Sequence, residues 1–275
     1  MTSSVSYTVL MPMAPWEPVA IVSQALASLR DQTLKPAQVV VSCDGDPPSA
    51  LLACLQTCDL PVQVVVGPGG EGVGPVLARG LLLCNNDLVL RADADDLSLP
   101  DRAEKQVTWM QQHPNVLVMS TPILEFLESP DQIVTQRWVP VHTKEIARIA
   151  HWRNPINHPA VIFRRSAVLA AGNYHDFPGF EDYELWLRMV FCNGMASLAN
   201  TPDPLVLARV GNAHLARRHG LKYALSEIRF FVYCWQKSLL PTGSVIRSLV
   251  IRLPLRLVPA NLLSYIMKKT TRRSV

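Results

Sequence analysis

Short apolar runs alternate with helical periodicities over the first hundred residues. The runs at 7–11, 38–42, 62–66 and 87–92 are rich in Val, Leu and Met and stop at or near Pro, Gly or Asp, the pattern of buried strands. Between them Ile21, Ala25 and Leu29 repeat on one helical face, 49–57 forms a second helix, and a third follows the Gly-rich loop 67–74 and ends near Cys84. Strands alternating with helices predict βαβ units and a mostly parallel, Rossmann-like α/β sheet flanked by helices. Ser98-Leu99-Pro100-Asp101 has the form of a helix start, with Ser as cap, Pro in the first turn and Asp where the dipole favours negative charge. Past residue 115 the alternation loosens into apolar runs at 116–120 and 133–139, a helix around 144–151, a strand at 160–163 and a helix at 181–191. From about Ala216 a helical pattern continues to the end, broken at Pro241, Pro254 and Pro259, with no internal repeat and no low-complexity linker.

Composition narrows the class. Of 275 residues, 49% are hydrophobic and 17% charged, enough apolar surface for a sizeable core and too little charge for a disordered chain. The net charge of +4 hides an asymmetry. Residues 1–210 hold 14 Lys and Arg against 21 Asp and Glu, whereas residues 211–275 hold 12 against 1. We therefore divide the chain into an α/β unit, 1–212, and a basic helical extension, 213–275. Six cysteines without a C-x-x-C pair suit buried thiols in a reducing compartment. Neither a signal-peptide pattern nor an uncharged apolar window of spanning length is present, which predicts a cytoplasmic protein, peripheral on the cytoplasmic face of a membrane. Arg247, Arg252 and Arg256 recur at near-helical spacing amid Val245, Ile246, Leu249, Val250 and Ile251, and Lys268, Lys269, Arg272 and Arg273 follow. A basic face beside an apolar one fits a helix lying on anionic lipid, or an amphipathic helix packed on the protein's own core. Few aromatics interleave with these cations, so nucleic acid is not the expected partner.

Open α/β sheets bind ligands outside the carboxyl ends of their strands, and two acidic segments fall there. Asp93, Asp95 and Asp96 crowd three carboxylates into four residues. Their repulsion calls for a divalent cation, Mg²⁺ or Mn²⁺, unless the segment is a solvated acidic turn. Asp44 precedes Gly45, so it either reaches a ligand from the sheet rim or forms an Asp-Gly turn. The loop 67–74 matches neither a dinucleotide fingerprint nor a P-loop. Glu181 and Asp182 open an amphipathic helix, where acids complement the dipole or supply a general base. His158, in Asn154-Pro155-Ile156-Asn157-His158-Pro159, reads first as a satisfied structural histidine, and no Ser or Cys occupies a nucleophile elbow.

Three features together resemble the GT-A family 2 glycosyltransferases over about residues 6–210. They are the early strand ending at Asp44-Gly45, the Asp93-Ala94-Asp95-Asp96 cluster followed by Pro100-Asp101-Arg102, and Glu181-Asp182 before Leu185-Trp186-Leu187-Arg188. The stretch 91–106 and the segment 157–163 look closest to members that build bacterial surface polysaccharides. The resemblance implies an inverting transfer from a nucleotide-sugar donor to a hydroxyl of a saccharide or lipid-linked acceptor. It implies that Asp44 meets the donor base, Asp93 the ribose region, Asp95 and Asp96 the metal and diphosphate, and that Asp182 is the catalytic base. The chain departs from the pattern at Pro12-Met13-Ala14-Pro15-Trp16-Glu17 and at Ala78-Arg79-Gly80. A sugar nucleotidyltransferase of related fold and a non-catalytic, membrane-docked carbohydrate-binding relative are the alternatives.

Overall fold

A computed structural model describes residues 5–211, 220–257 and 272–273. Its main sheet is built first from β1 (Tyr7–Met13), β2 (Gln38–Cys43), β3 (Val62–Val66) and β4 (Leu88–Arg91). β1 pairs in parallel with β2 on one side and β4 on the other, and β2 pairs in parallel with β3. The chain thus leaves β1 in one direction, returns past it, and creates a crevice between the carboxyl ends of β1 and β4, the reversal point at which open sheets bind ligands. β9 (Ile162–Arg164) runs antiparallel between β4 and β6 (Val118–Ser120), and β10 (Leu198–Asn200) completes a seven-stranded sheet beside β6.

Alternation along the strands fills two faces. Tyr7, Val9, Met11 and Met13 of β1 pack with Val39 and Val41 against α1 (Val19–Arg30), α2 (Ser49–Thr57) and α4 (Arg102–Gln112). Leu10, Val40, Val89 and Phe163 face the opposite layer, which holds α3 (Val73–Leu82), α5 (Thr143–Ala150), α6 (Arg165–Ala170) and α7 (Glu181–Asn193). Gly80 lets α3 settle directly on the sheet, since a Cβ there would come within 2.6 Å of Leu10 and 2.9 Å of Ser42. A smaller sheet comprises β5 (Leu97–Ser98), β7 (Ile123–Phe126), β8 (Ile133–Arg137), β11 (Val206–Arg209) and β12 (Arg272–Arg273).

Ser98 departs from its expected role as a helix cap. It lies in β5, α4 begins only at Arg102, and the Ser98 hydroxyl accepts a 3.0 Å hydrogen bond from Arg102 Nη1. Pairing of β5 with β11 holds the Ser98 backbone in a strand, so the turn at Pro100-Asp101 intervenes before the helix. Among the cysteines, Cys43, Cys84 and Cys234 are buried, but Cys192 is exposed at the end of α7.

The C-terminal part forms a hairpin of α8 (Leu221–Gln236) and α9 (Thr242–Leu257) that packs on α7. Phe230, Phe231, Cys234, Leu240 and Val245 close over Phe180, Tyr183 and Leu187. Two of the three arginines expected to face lipid turn inward instead. Arg252 and Arg256 both bond Glu227, which is fully buried, so the low-dielectric interior draws them in to neutralise it. Arg272 and Arg273 pair through their backbone with β8, and Lys268 and Lys269 lie outside the described residues. No helix among the described residues is long and apolar enough to cross a membrane.

Candidate active site

The parallel strands deliver Asp44 and the Asp93–Asp96 loop to one rim. β4 ends at Arg91, and the chain then turns so that Asp93, Asp95 and Asp96 bring ligand oxygens within 4.8 Å of one another. Arg91 is nearly buried and grips Asp93 with both terminal nitrogens, Nη1 donating to Oδ2 at 2.9 Å and Nη2 to Oδ1. Asp96 Oδ1 accepts a 2.9 Å bond from the backbone N–H of Arg209, tying the loop to β11.

Arg102 locks the base of this loop. Its buried guanidinium donates to the Arg91 carbonyl at 2.7 Å and the Pro159 carbonyl at 3.1 Å, while Gln106 Nε2 bonds the Ala160 carbonyl at 2.9 Å. One helix start therefore fixes both the acidic loop and the segment around His158. Burial, and then the neighbouring Arg91, lower the Arg102 pKa to about 9.

Negative charge is in excess here. Burial, followed by repulsion from Asp93 and Glu17, raises the Asp95 pKa to about 6. Burial and the charges of Asp93 and Asp95 drive Asp96 well above the ordinary carboxylate value. Three crowded carboxylates that repel one another and offer only oxygen ligands fit a hard divalent ion.

The second acidic segment arrives from far along the chain. Leu185, Trp186 and Met189 bury one face of α7, and Glu181 and Asp182 open its first turn. Asp182 Oδ2 accepts a 2.6 Å bond from Asn154 Nδ2, and Oδ1 accepts from the Tyr183 N–H at 2.7 Å. Arg91 bonds Asp93 directly and lies within electrostatic reach of Asp96 and Asp182, so one buried guanidinium feels charge from both acidic segments. Glu181 lies against the start of α3, where a Cβ on Gly74 would be 3.4 Å from its own Cβ. Its pKa is pushed up to about 7 by burial and then by Asp182.

His158 behaves as a structural histidine. It is buried, its Nε2 is 3.1 Å from the Tyr174 hydroxyl, and its ring meets Trp186 edge-on at 6.0 Å between centroids. Burial and then Arg91 hold its pKa well below the ordinary value, and its Nδ1 is 3.9 Å from Asp182, too far for a hydrogen bond.

Asp44 sits across the rim. Its two oxygens accept the backbone N–H groups of Glu71 and Gly72, at 2.9 and 3.2 Å, and so hold the Gly-rich loop at the entry to α3. Arg79, in one of the segments that departs from the expected pattern, bonds Glu71 at 2.5 Å and the Cys43 carbonyl at 3.0 Å. Gly45 and Gly69 both take positive φ, which lets the two loops touch.

Sequence reasoning missed Arg91, Asn154 and Arg102. A lone arginine ending an apolar strand directly before three acids was the available signal for Arg91, and Asn154 lay four residues from the histidine that drew attention instead.

Known proteins resemble this chain in sequence and in fold. The sequence pattern of the family "Glycosyl transferase family 2" matches residues 17–171. The amylovoran biosynthesis glycosyltransferase AmsE of Erwinia amylovora is 32% identical over 96% of this chain and 98% of its own. An Escherichia coli UDP-Gal:alpha-D-GlcNAc-diphosphoundecaprenol beta-1,3-galactosyltransferase is 31% identical over 97% of both. Among solved structures, the mannosyltransferase PcManGT of Pyrobaculum calidifontis, in complex with GDP-Man and Mn²⁺, superposes with a TM-score of 0.66 at 17% identity, covering 98% of this chain and 76% of that one. That likeness establishes the GT-A fold, and the sequence match establishes the enzyme class: the chain belongs to glycosyl transferase family 2.

Proposed function

We propose that this glycosyltransferase inverts configuration as it moves a sugar from a nucleotide-diphosphate donor to a hydroxyl of a lipid-linked saccharide in surface-polysaccharide assembly. One observation carries the reading: Arg91, which grips Asp93 in the acidic loop after β4, is also within electrostatic reach of Asp182 at the start of α7, about 85 residues further along the sequence. Support for the acceptor class comes from the galactosyltransferase relative, whose name specifies a GlcNAc-diphosphoundecaprenol substrate, and from AmsE, named for amylovoran biosynthesis. PcManGT holds GDP-Man with Mn²⁺.

Asp95 and Asp96 would hold a Mg²⁺ or Mn²⁺ ion, which when bound neutralises charge building on the departing diphosphate. Asp93, fixed by Arg91, faces the ribose region. Asp44 keeps free lone pairs beyond its bonds to Glu71 and Gly72, since an ionised carboxylate has about four acceptor sites, and so can still take an N–H from the donor base. Asp182, oriented by Asn154, accepts the acceptor hydroxyl proton as that oxygen attacks the anomeric carbon. The bond to the diphosphate breaks on the opposite side, so a single displacement inverts the centre. Residues 1–212 carry this chemistry, and the extension 213–275 keeps the enzyme at the cytoplasmic face of the membrane.

Thermal-shift titration with UDP-, GDP- and dTDP-sugars plus Mn²⁺ tests the donor class. A ligand that binds only the folded state should raise the melting temperature progressively with concentration. No shift with any of them would refute the nucleotide-sugar reading.

A further inference from the structure

The helical hairpin has two faces of opposite character. Inside, Glu227 is the only acid in residues 211–275, and it is buried and bonded by Arg252 and Arg256. With that acid consumed, no carboxylate of the hairpin reaches solvent.

Outside, Leu221, Leu225, Arg229, Val232 and Gln236 follow one another at helical spacing along α8, all exposed. On α9, Ile246, Arg247, Val250 and Ile251 do the same, with Ile246 58% and Val250 67% exposed. Trp235, 52% exposed, donates its indole N–H to Thr242 Oγ1 at 3.1 Å and joins the two stripes at the turn, next to exposed Lys237. Every exposed charge described on the hairpin is positive: Arg229, Lys237 and Arg247.

We propose that this outward face docks on anionic lipid, with Trp235, Ile246 and Val250 entering the interface and Arg229, Lys237 and Arg247 meeting the headgroups. The stripe of Arg247, Arg252 and Arg256 is not the lipid face, because two of its members are spent on Glu227. Apolar side chains ringed by cations, with an amphipathic aromatic at the tip, match the chemistry of an anionic bilayer surface. A second protein would need carboxylates of its own to meet that charge.

The face also has a fixed relation to the active site. Tyr223 of α8 lies against Gly179, where a Cβ would be 3.0 Å from its ring, and Ser226 bonds the Pro178 carbonyl at 3.1 Å. Glu181 and Asp182 begin immediately after. Docking of α8 therefore holds the mouth of the site beside the bilayer, where a lipid-linked acceptor resides. This deepens the proposed function, yet the surface can fail independently of the transfer chemistry.

The test is flotation of the full chain with vesicles of phosphatidylethanolamine and phosphatidylglycerol against phosphatidylcholine vesicles. Binding to the anionic vesicles alone, weakened by salt, is expected. The Arg229→Ser/Lys237→Ser/Arg247→Ser triple should bind roughly 10²-fold more weakly, at about fivefold per cation near the surface. Ile246→Asp/Val250→Asp should abolish binding while leaving the donor-dependent thermal shift and transfer to a soluble acceptor unchanged. Quenching of Trp235 by brominated lipid, absent in Trp235→Phe, should mark insertion. Equal binding to both vesicle types, no binding, or a dimer in sedimentation that Ile246→Asp/Val250→Asp dissolves would each overturn the proposal, the last by assigning the face to a second copy. A missing donor shift in the wild type would instead count against the transfer reading.

Discussion

Asp96 and Glu227 are both carboxylates largely withdrawn from water, and their surroundings meet the same electrostatic problem in opposite ways. Glu227 is enclosed by two guanidinium groups in three hydrogen bonds, so although burial raises its pKa, the bonds from Arg256 and the charge of Arg252 bring it below the ordinary value. Asp96 has burial and two neighbouring aspartates against it, with the Arg209 N–H and a shared Arg91 in its favour, and its pKa rises. A closed ion cluster is finished when the chain folds. An acidic excess at the rim of a parallel sheet could hold a metal ion.

The sharpest way to break this comparison is at the open cluster. Asp95→Asn should lower transfer by about 10³-fold or more, because a metal ion contributes several kcal/mol to stabilising a developing anion. Its melting temperature should hold or rise, since the change relieves repulsion from Asp93 and Glu17. Undiminished transfer by this variant in chelator-treated buffer would end the metal-dependent reading.

At α7, Asp182→Asn retains an acceptor for Asn154 but cannot take a proton, and should cut turnover roughly 10²–10⁴-fold with donor affinity nearly unchanged. Glu181→Gln should cost far less. Steady-state kinetics on both variants decide between them: a reversed order would make Glu181 the base.

The closed cluster predicts the converse, a loss of stability with turnover per folded molecule intact. Glu227→Gln strands two arginines and should destabilise by about 3–5 kcal/mol in urea unfolding. Replacing all three groups with apolar residues, as in Glu227→Leu/Arg252→Met/Arg256→Met, should recover most of that loss, since a buried ion cluster seldom outdoes good packing. A mild effect of Glu227→Gln alone would show that the two sites are less different than their geometry indicates.

The smallest effect concerns pH. The folded-state pKa of Glu181 is raised to about 7 from an ordinary 4.5, so the native protein binds this proton more tightly than the unfolded chain. Its contribution to stability is complete below about pH 4.5 and is lost as pH rises through about 7, a change on the order of 1–3 kcal/mol. Glu181→Gln should flatten that part of the stability profile between pH 5 and pH 8, as followed by thermal melts in chelator, and an unaltered slope would remove Glu181 as its source.

Much of the first half of the fold is legible because β1, β2 and β4 lie between covering helices, and strands buried on both faces read as near-continuous apolar runs, while the half-exposed edge strand β3 keeps four valines in five residues. The smaller sheet is not, since β5, β7 and β11 are short and find partners far away in sequence, and β9 shows nothing of its antiparallel direction. The acids of the site announced themselves by crowding. Their organisers did not: Arg91 looks like the charged end of a strand, and Asn154 like any loop amide. In the tail, spacing placed Arg252 and Arg256 on one helical face without saying which way it turns. The lone Glu227 among twelve cations was the clue, because a single acid in a basic segment is an anchor once buried.

α7 serves two masters: its first turn carries Asp182, and its Tyr183 and Leu187, with Phe180 just before it, form the floor on which α8 and α9 rest. Grafting the terminal helices of a relative onto this chain is thereby constrained. A chimera that swaps the hairpin without the matching floor would set a foreign aromatic cluster against the helix holding Asp182, so working grafts should begin upstream of Phe180 and carry α7 with them.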